Sequence, residues 1–240
     1  MHAALDGFLV HLAPSFAFEA PAEAADPELA RRIVAVLATR IDEFRSGGHN
    51  VIWAAIPLKV LQHAPDLATP STVDGIVKLI ELLHEKLPAR GDTDWNPAHP
   101  IPQFATPDEL IAAAFSSIAV PKSHSASERV HLVTHADALA QLWELGHEEL
   151  AIRGSEAMKF NCNRDRPNGE VGQTPQERLP ATPLTAGYWS DARLHRGALG
   201  AGHCLKFPFS CYRRRGALKD ATFRQQCDEQ FMQVVASAWS

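Results

Sequence analysis

Histidine is the residue type most able to do chemistry in this chain: 12 histidines stand among 240 residues, beside only 4 cysteines. A neutral imidazole can ligate a metal or carry a proton near neutral pH, so the spacing of these rings comes first. His131 and His135 lie four apart in ERVHLVTHADALAQLWELGHEELAIRG. At 100° per residue, with His135 at zero, His131 falls at about −40°, Leu142 at about −20° and Leu139 at about +40°. Both rings therefore share the apolar side of one helix, roughly a turn apart, as a single zinc or iron asks of two ligands.

Three further histidines directly follow glycine: Gly48-His49, Gly146-His147 and Gly202-His203. Glycine removes bulk beside the ring and permits unusual backbone angles, which suits presentation of an imidazole. A helix that begins at Gly48 places His49 one turn before Trp53, at an N-terminus whose dipole lowers the ring's affinity for a proton. His49 is then a neutral base or ligand. His203, in GAGHCLKFPF beside Cys204 and Lys206, is the second candidate catalytic group.

These residues define the expected site. His49, His131 and His135, joined by His84, form the candidate metal set, and Trp53, Trp143 and Phe207 supply apolar walls. Fe2+ with an open position would activate dioxygen on a small, partly apolar organic molecule, whereas Zn2+ would activate water. The main expectation is thus a metal-dependent, oxygen-using oxidoreductase. A zinc-dependent hydrolase is one alternative. The other is a noncatalytic small-molecule-binding or protein-interaction domain whose histidines are structural, each ring satisfied by a backbone carbonyl or a carboxylate.

A second pattern uses carboxylates. Glu43, Glu81-x2-His84, Glu109 and Glu144-x2-His147 resemble, in order, the ligands of ferritin-like di-iron bundles, and the resemblance implies a di-iron centre within residues 43–147. The angular count sets Glu144 and His147 at about 180° and 120° from His135, toward Asp137 and Gln141 on the polar side. No GxGxxG or GxxxxGK loop occurs, so no nucleotide cofactor is expected. Ser123-His124-Ser125 lacks the strand–turn–helix setting of a nucleophile and reads as a surface loop. Cys162 and Cys204, near Arg164 and Lys206, have no histidine at a fixed spacing to activate them. A Cys204–Cys211 disulfide stays open, with four reduced cysteines in cytoplasm as the simpler reading.

Helices must position these groups. Asp26-Pro27 starts one over about 27–45, and Thr69-Pro70 and Thr106-Pro107 start two more, the last with Glu109 completing a capping box. Between the first two, HNVIWAAIPLKVLQH is helical by its Trp53, Ile56, Val60 spacing, with a kink or break expected near Pro57. The segment 128–153 is the central helix candidate, and Asp220 caps a last helix over about 221–238. Residues 154–219 keep no period of 3.6 or 2 and are expected to wrap the core irregularly, with a short strand or hairpin around HCLKFPFSCYR. The fold class is mainly α: one domain over 1–240, an orthogonal or bundle-like helical core with that long covering segment.

Composition fits this picture. A chain that is 45% hydrophobic and 21% charged can fill one core. No apolar run reaches membrane-span length, and the opening MHAALDGFLVHLAPSFAF lacks the basic residues of a leader, so a soluble cytoplasmic protein is expected. Charge is uneven: residues 1–120 hold 8 Lys and Arg against 15 Asp and Glu, residues 121–240 hold 15 against 13. Arg213-Arg214-Arg215 is the densest basic cluster, read as a solvated turn. Without a longer stripe or interleaved aromatic rings it does not argue for nucleic acid. A small-molecule ligand is the expected partner. The apolar helix faces leave room for a homodimer, although no heptad seam specifies one.

Overall fold

Threonine and aspartate caps set the helix starts where the sequence places them. Asp26 accepts from the Glu28 N–H at 3.0 Å, Thr69 from Thr72 N–H at 3.3 Å and Thr106 from Glu109 N–H at 3.3 Å. Asp220 accepts from the N–H groups of Thr222 and Phe223 at 2.8 and 3.1 Å. The computed structural model describes residues 23–86, 104–119, 126–162, 182–190 and 198–237. Among them run α1 (Ala30–Ala38), α2 (His49–His63), α3 (Pro70–Lys86), α4 (Pro107–Ala119), α5 (Ala126–Glu144), α6 (Glu148–Cys162), the short α7 (Ala186–Trp189), α8 (Ala198–Arg214) and α9 (Ala221–Ser237). No sheet forms among the described residues, and every one of these helices contributes to one apolar cluster, so the fold is mainly helical with a single domain.

Helix α5 is the axis of the molecule. All twelve residues from 131 to 142 are buried, because α2, α4, α6, α8 and α9 surround it. Burial all round is what a helix shows when neighbours cover its polar as well as its apolar side. Asp137 and Gln141, expected to face water, are 1% and 2% exposed. Asp137 Oδ1 accepts from Arg214 Nε at 2.5 Å, and its Oδ2 accepts from Ser210 Oγ at 2.8 Å and Gln141 Nε2 at 3.0 Å. The basic cluster is therefore no solvated turn. Arg213 and Arg214 also bond the Glu144 carboxylate, each at 2.5 Å, and Arg215 pairs with Asp228.

Several expected boundaries move. The 128–153 segment is two helices, because Gly146, at φ +86°, ends α5. His147 N–H bonds the Leu142 carbonyl at 2.9 Å and Gly146 N–H the Trp143 carbonyl at 3.0 Å, the paired bonds of a left-handed glycine cap. The first helix stops at Ala38 after a 3-10 turn at Pro27–Leu29. Pro57 sits inside α2, which is continuous. The irregular covering segment expected over 154–219 is helical through Cys162 and again from Ala198 to Arg214, so the expected hairpin around HCLKFPFSCYR is helix. Residues 163–181 and 191–197 of it lie outside the described residues, as do Ser123-His124-Ser125 and most of the proline-rich stretch 88–106. Cys204 and Cys211 stand seven residues apart on α8, about 10 Å along its axis. That is beyond disulfide reach, and Cys211 keeps a free buried thiol. No helix among the described residues is long and apolar enough to cross a membrane.

Candidate functional site: an imidazole–lysine centre

Two consecutive glycines create the site. Gly47 and Gly48 adopt φ +71° and +86°, values that L side chains rarely take, and Gly48 N–H closes the turn onto the Arg45 carbonyl at 2.8 Å. This turn seats the start of α2 directly on the histidines of α5. A Cβ on Gly47 would lie 3.1 Å from His131 Cδ2, and one on Gly48 would lie 2.4 Å from His135 Cγ. Backbone contact this close is open only to glycine. The Gly48-His49 step thus serves close approach between helices as well as presentation of the ring.

His49, at the first position of α2, meets His131 edge to face, with ring centroids 4.8 Å apart. Helix α8 brings the third member. Lys206 Nζ lies 2.7 Å from His49 Nε2 and 3.3 Å from His131 Nε2, while the Phe207 ring stands edge-on to His131 at 5.3 Å. The Phe207 ring centroid is 5.2 Å from the same Nζ, within cation–π range. Burial pushes the Lys206 amine down to about 7, since leaving water penalises its charged form. Among the described residues no carboxylate pairs with it, although the neighbouring cations Arg213, Arg214 and Arg215 all have one. Lys206 and His49 are both partly exposed, so the centre opens toward solvent.

His135 lies one turn deeper. It is fully buried and stacks on Phe44 at 5.9 Å, and neither ring nitrogen has a hydrogen-bond partner among the described residues. Burial, and then the nearby His49, lower its pKa to about 3. Asn50, the next residue on α2, is also buried, and neither of its amide atoms has a hydrogen-bond partner among the described residues. His84 lies elsewhere, near the end of α3. Its carbonyl accepts from Arg45 Nη1 at 2.5 Å, and its ring is lowered by burial first and then by Arg45 and Arg40.

The structure therefore brings His49 and His131 into contact and sets His135 behind them. His203 lies on α8 rather than in a flexible approach, with its side chain outside the described residues. No group of three or more His, Cys, Asp and Glu side chains among the described residues is arranged to hold a metal ion. The di-iron order does not converge either. Glu43 bonds Arg45, Glu109 accepts from the Ala105 N–H at 2.7 Å in its capping role, and Glu144 is taken by Lys59, Arg213 and Arg214. Of the expected walls only Phe207 is at the site. Trp53 is 41% exposed, and Trp143 lines a separate shallow cleft with Phe104, Leu110, Leu139, Ala151 and Ser155.

The buried ring of His135 makes acid stability a test of this geometry. A group whose pKa falls on folding binds more protons unfolded, so its contribution is complete above about 6.5 and is lost as pH drops toward about 3. His135 alone should steepen the loss by up to about 1.4 kcal/mol per pH unit in that window, and His84 acts in the same direction. Urea unfolding at pH 7, 6, 5 and 4 is expected to show a shallower decline for His135→Leu, with little change at pH 7 because no hydrogen bond is lost. Equal slopes for variant and wild type would mean that His135 is not sequestered from water.

Comparison with protein families, curated proteins and solved structures finds no match for this chain. The class that the fold and the site define is a mainly helical, single-core protein with an imidazole–lysine centre between three helices.

Proposed function

We propose that this protein is a helical small-molecule-binding domain whose recognition centre is Lys206 with His49 and His131. One observation carries the reading: an amine with no carboxylate partner among the described residues stands within hydrogen-bonding distance of two imidazoles, on a partly exposed face. A lysine placed for stability alone would be expected to meet an acidic side chain, as the neighbouring arginines do. Here an oxygen-bearing organic ligand, carbonyl or carboxylate, would complete the set. The metal-dependent oxidoreductase and the zinc hydrolase both need a further ligand beside His49 and His131. Lys206 occupies the point on which both Nε2 atoms converge, which favours the noncatalytic binding reading over them.

Titration with benzoate, followed by NMR of the His49 and His131 ring resonances, tests it. Saturable shifts of both rings are expected, with affinity reduced at least about tenfold in Lys206→Met, the order of one lost charge-assisted contact. Rings that stay unmoved by benzoate would overturn the reading.

A further inference from the structure

We propose that Lys206 captures small aldehydes reversibly as an imine, with His49 moving the protons. This rests on the reading of the centre as a ligand site and specifies the ligand's chemistry. The geometry supplies what imine formation needs. The nucleophile is a primary amine in a partly desolvated position, where burial holds it near pH 7 and so keeps much of it uncharged at neutral pH. The acid–base group is the His49 imidazole, whose Nε2 is 2.7 Å from the amine nitrogen, and His131 Nε2 holds the amine from a second side at 3.3 Å.

The reaction balances without an outside reagent other than the aldehyde. Lys206 Nζ forms a bond to the carbonyl carbon as the C=O electron pair moves to oxygen. His49 Nε2, in the tautomer that accepts there, takes a proton from that nitrogen and returns it to the oxygen, giving a carbinolamine. A second proton passes by the same route from nitrogen to the hydroxyl, which leaves as water while the nitrogen lone pair forms the C=N bond. Amine and aldehyde become imine and water, with no change of oxidation state, and the reverse steps release the aldehyde. The exposed Phe209, three residues and so nearly one turn after Lys206 on α8, favours an aldehyde with a flat apolar body.

The full-length protein is incubated with benzaldehyde and cyanoborohydride at pH 7, and the modified lysines are mapped by peptide mass spectrometry. The expected result is one benzyl group on Lys206, added on the order of tenfold faster than on the exposed Lys78 and Lys219. Excess benzoate should slow this reaction and leave the other two lysines unchanged. Labelling of Lys206 no faster than Lys78 and Lys219 would overturn the imine proposal. If benzoate still shifts the His49 and His131 rings in that case, the binding site stands and only the covalent step falls; if it does not, both fall. Because the lysines are compared within the wild-type chain, the result does not depend on whether a variant folds.

Discussion

Gly48→Ala is expected to lower the stability of the fold by about 3 kcal/mol. About 1 kcal/mol comes from forcing a side chain to φ +86°. Roughly 2 kcal/mol more comes from the new methyl carbon, which would stand 2.4 Å from His135 Cγ and 2.9 Å from His135 Cβ on a fully buried ring. Neither the ring nor the backbone can yield without disturbing the start of α2 on α5. Gly146 provides the comparison, because it has the same φ of +86° with nothing within 4 Å of an added Cβ. Gly146→Ala should therefore cost only the backbone part, about 1 kcal/mol. Urea midpoints of the two variants check this directly. Equal losses would show that the contact between Gly48 and His135 is looser than described.

Asp137→Ala is expected to cost about 3–5 kcal/mol, the range for removing one partner of a buried ion pair. The carboxylate is 1% exposed and its loss strands Arg214, whose side chain is only 13% exposed, together with the hydroxyl of Ser210 and the amide of Gln141. Arg214 keeps Glu144, which is 40% exposed and so better screened by water. Ser210→Ala removes a single donor and should cost about 1 kcal/mol. Chemical unfolding of both variants at low and high salt gives the measurement. A loss below about 1 kcal/mol for Asp137→Ala would mean that α8 is not anchored through this carboxylate.

Much of the histidine arrangement is legible from periodicity. The shared side of His131 and His135, and the start of α2 at Gly48, follow from counting 100° steps and from the glycine. The fate of the opposite side of α5 does not follow. Segregation of Asp137 and Gln141 onto one sector reveals that they are polar, but the arginine that covers them comes 77 residues after Asp137. Helix α8 is hidden for a related reason. Gly200, Gly202 and Pro208 lower its local helical preference, and packing of Phe207 and Cys211 into the core overrides it. Gly146 falls in the inward sector by angle, yet there it ends the helix, since a cap needs the left-handed conformation. In the sequence Lys206 stands out only as a neighbour of Cys204. Its contacts with His49 and His131 span 157 and 75 residues, a separation at which no local pattern speaks. Trp53 shows the reverse error: its spacing with Ile56 and Val60 marks a real stripe on α2, but Val51, Ile52, Ala55 and Leu58 form the buried side.

Helices α2, α5 and α8 touch at two levels. His49, His131 and Lys206 meet near one end, while Lys59, Glu144 and Arg213 meet near the other, Lys59 Nζ and Arg213 Nη2 lying 3.5 and 2.5 Å from the same Glu144 oxygen. Residue numbers rise from the first level to the second in all three helices, so the three run in the same direction. A slip of α8 by one residue would carry Lys206 about 1.5 Å along the axis and turn it about 100°, out of reach of both imidazoles. Such a slip would also pull Arg213 and Arg214 from Asp137 and Glu144. The carboxylates thus act as an index pin for α8, fixing the angular setting of an amine two turns away from them.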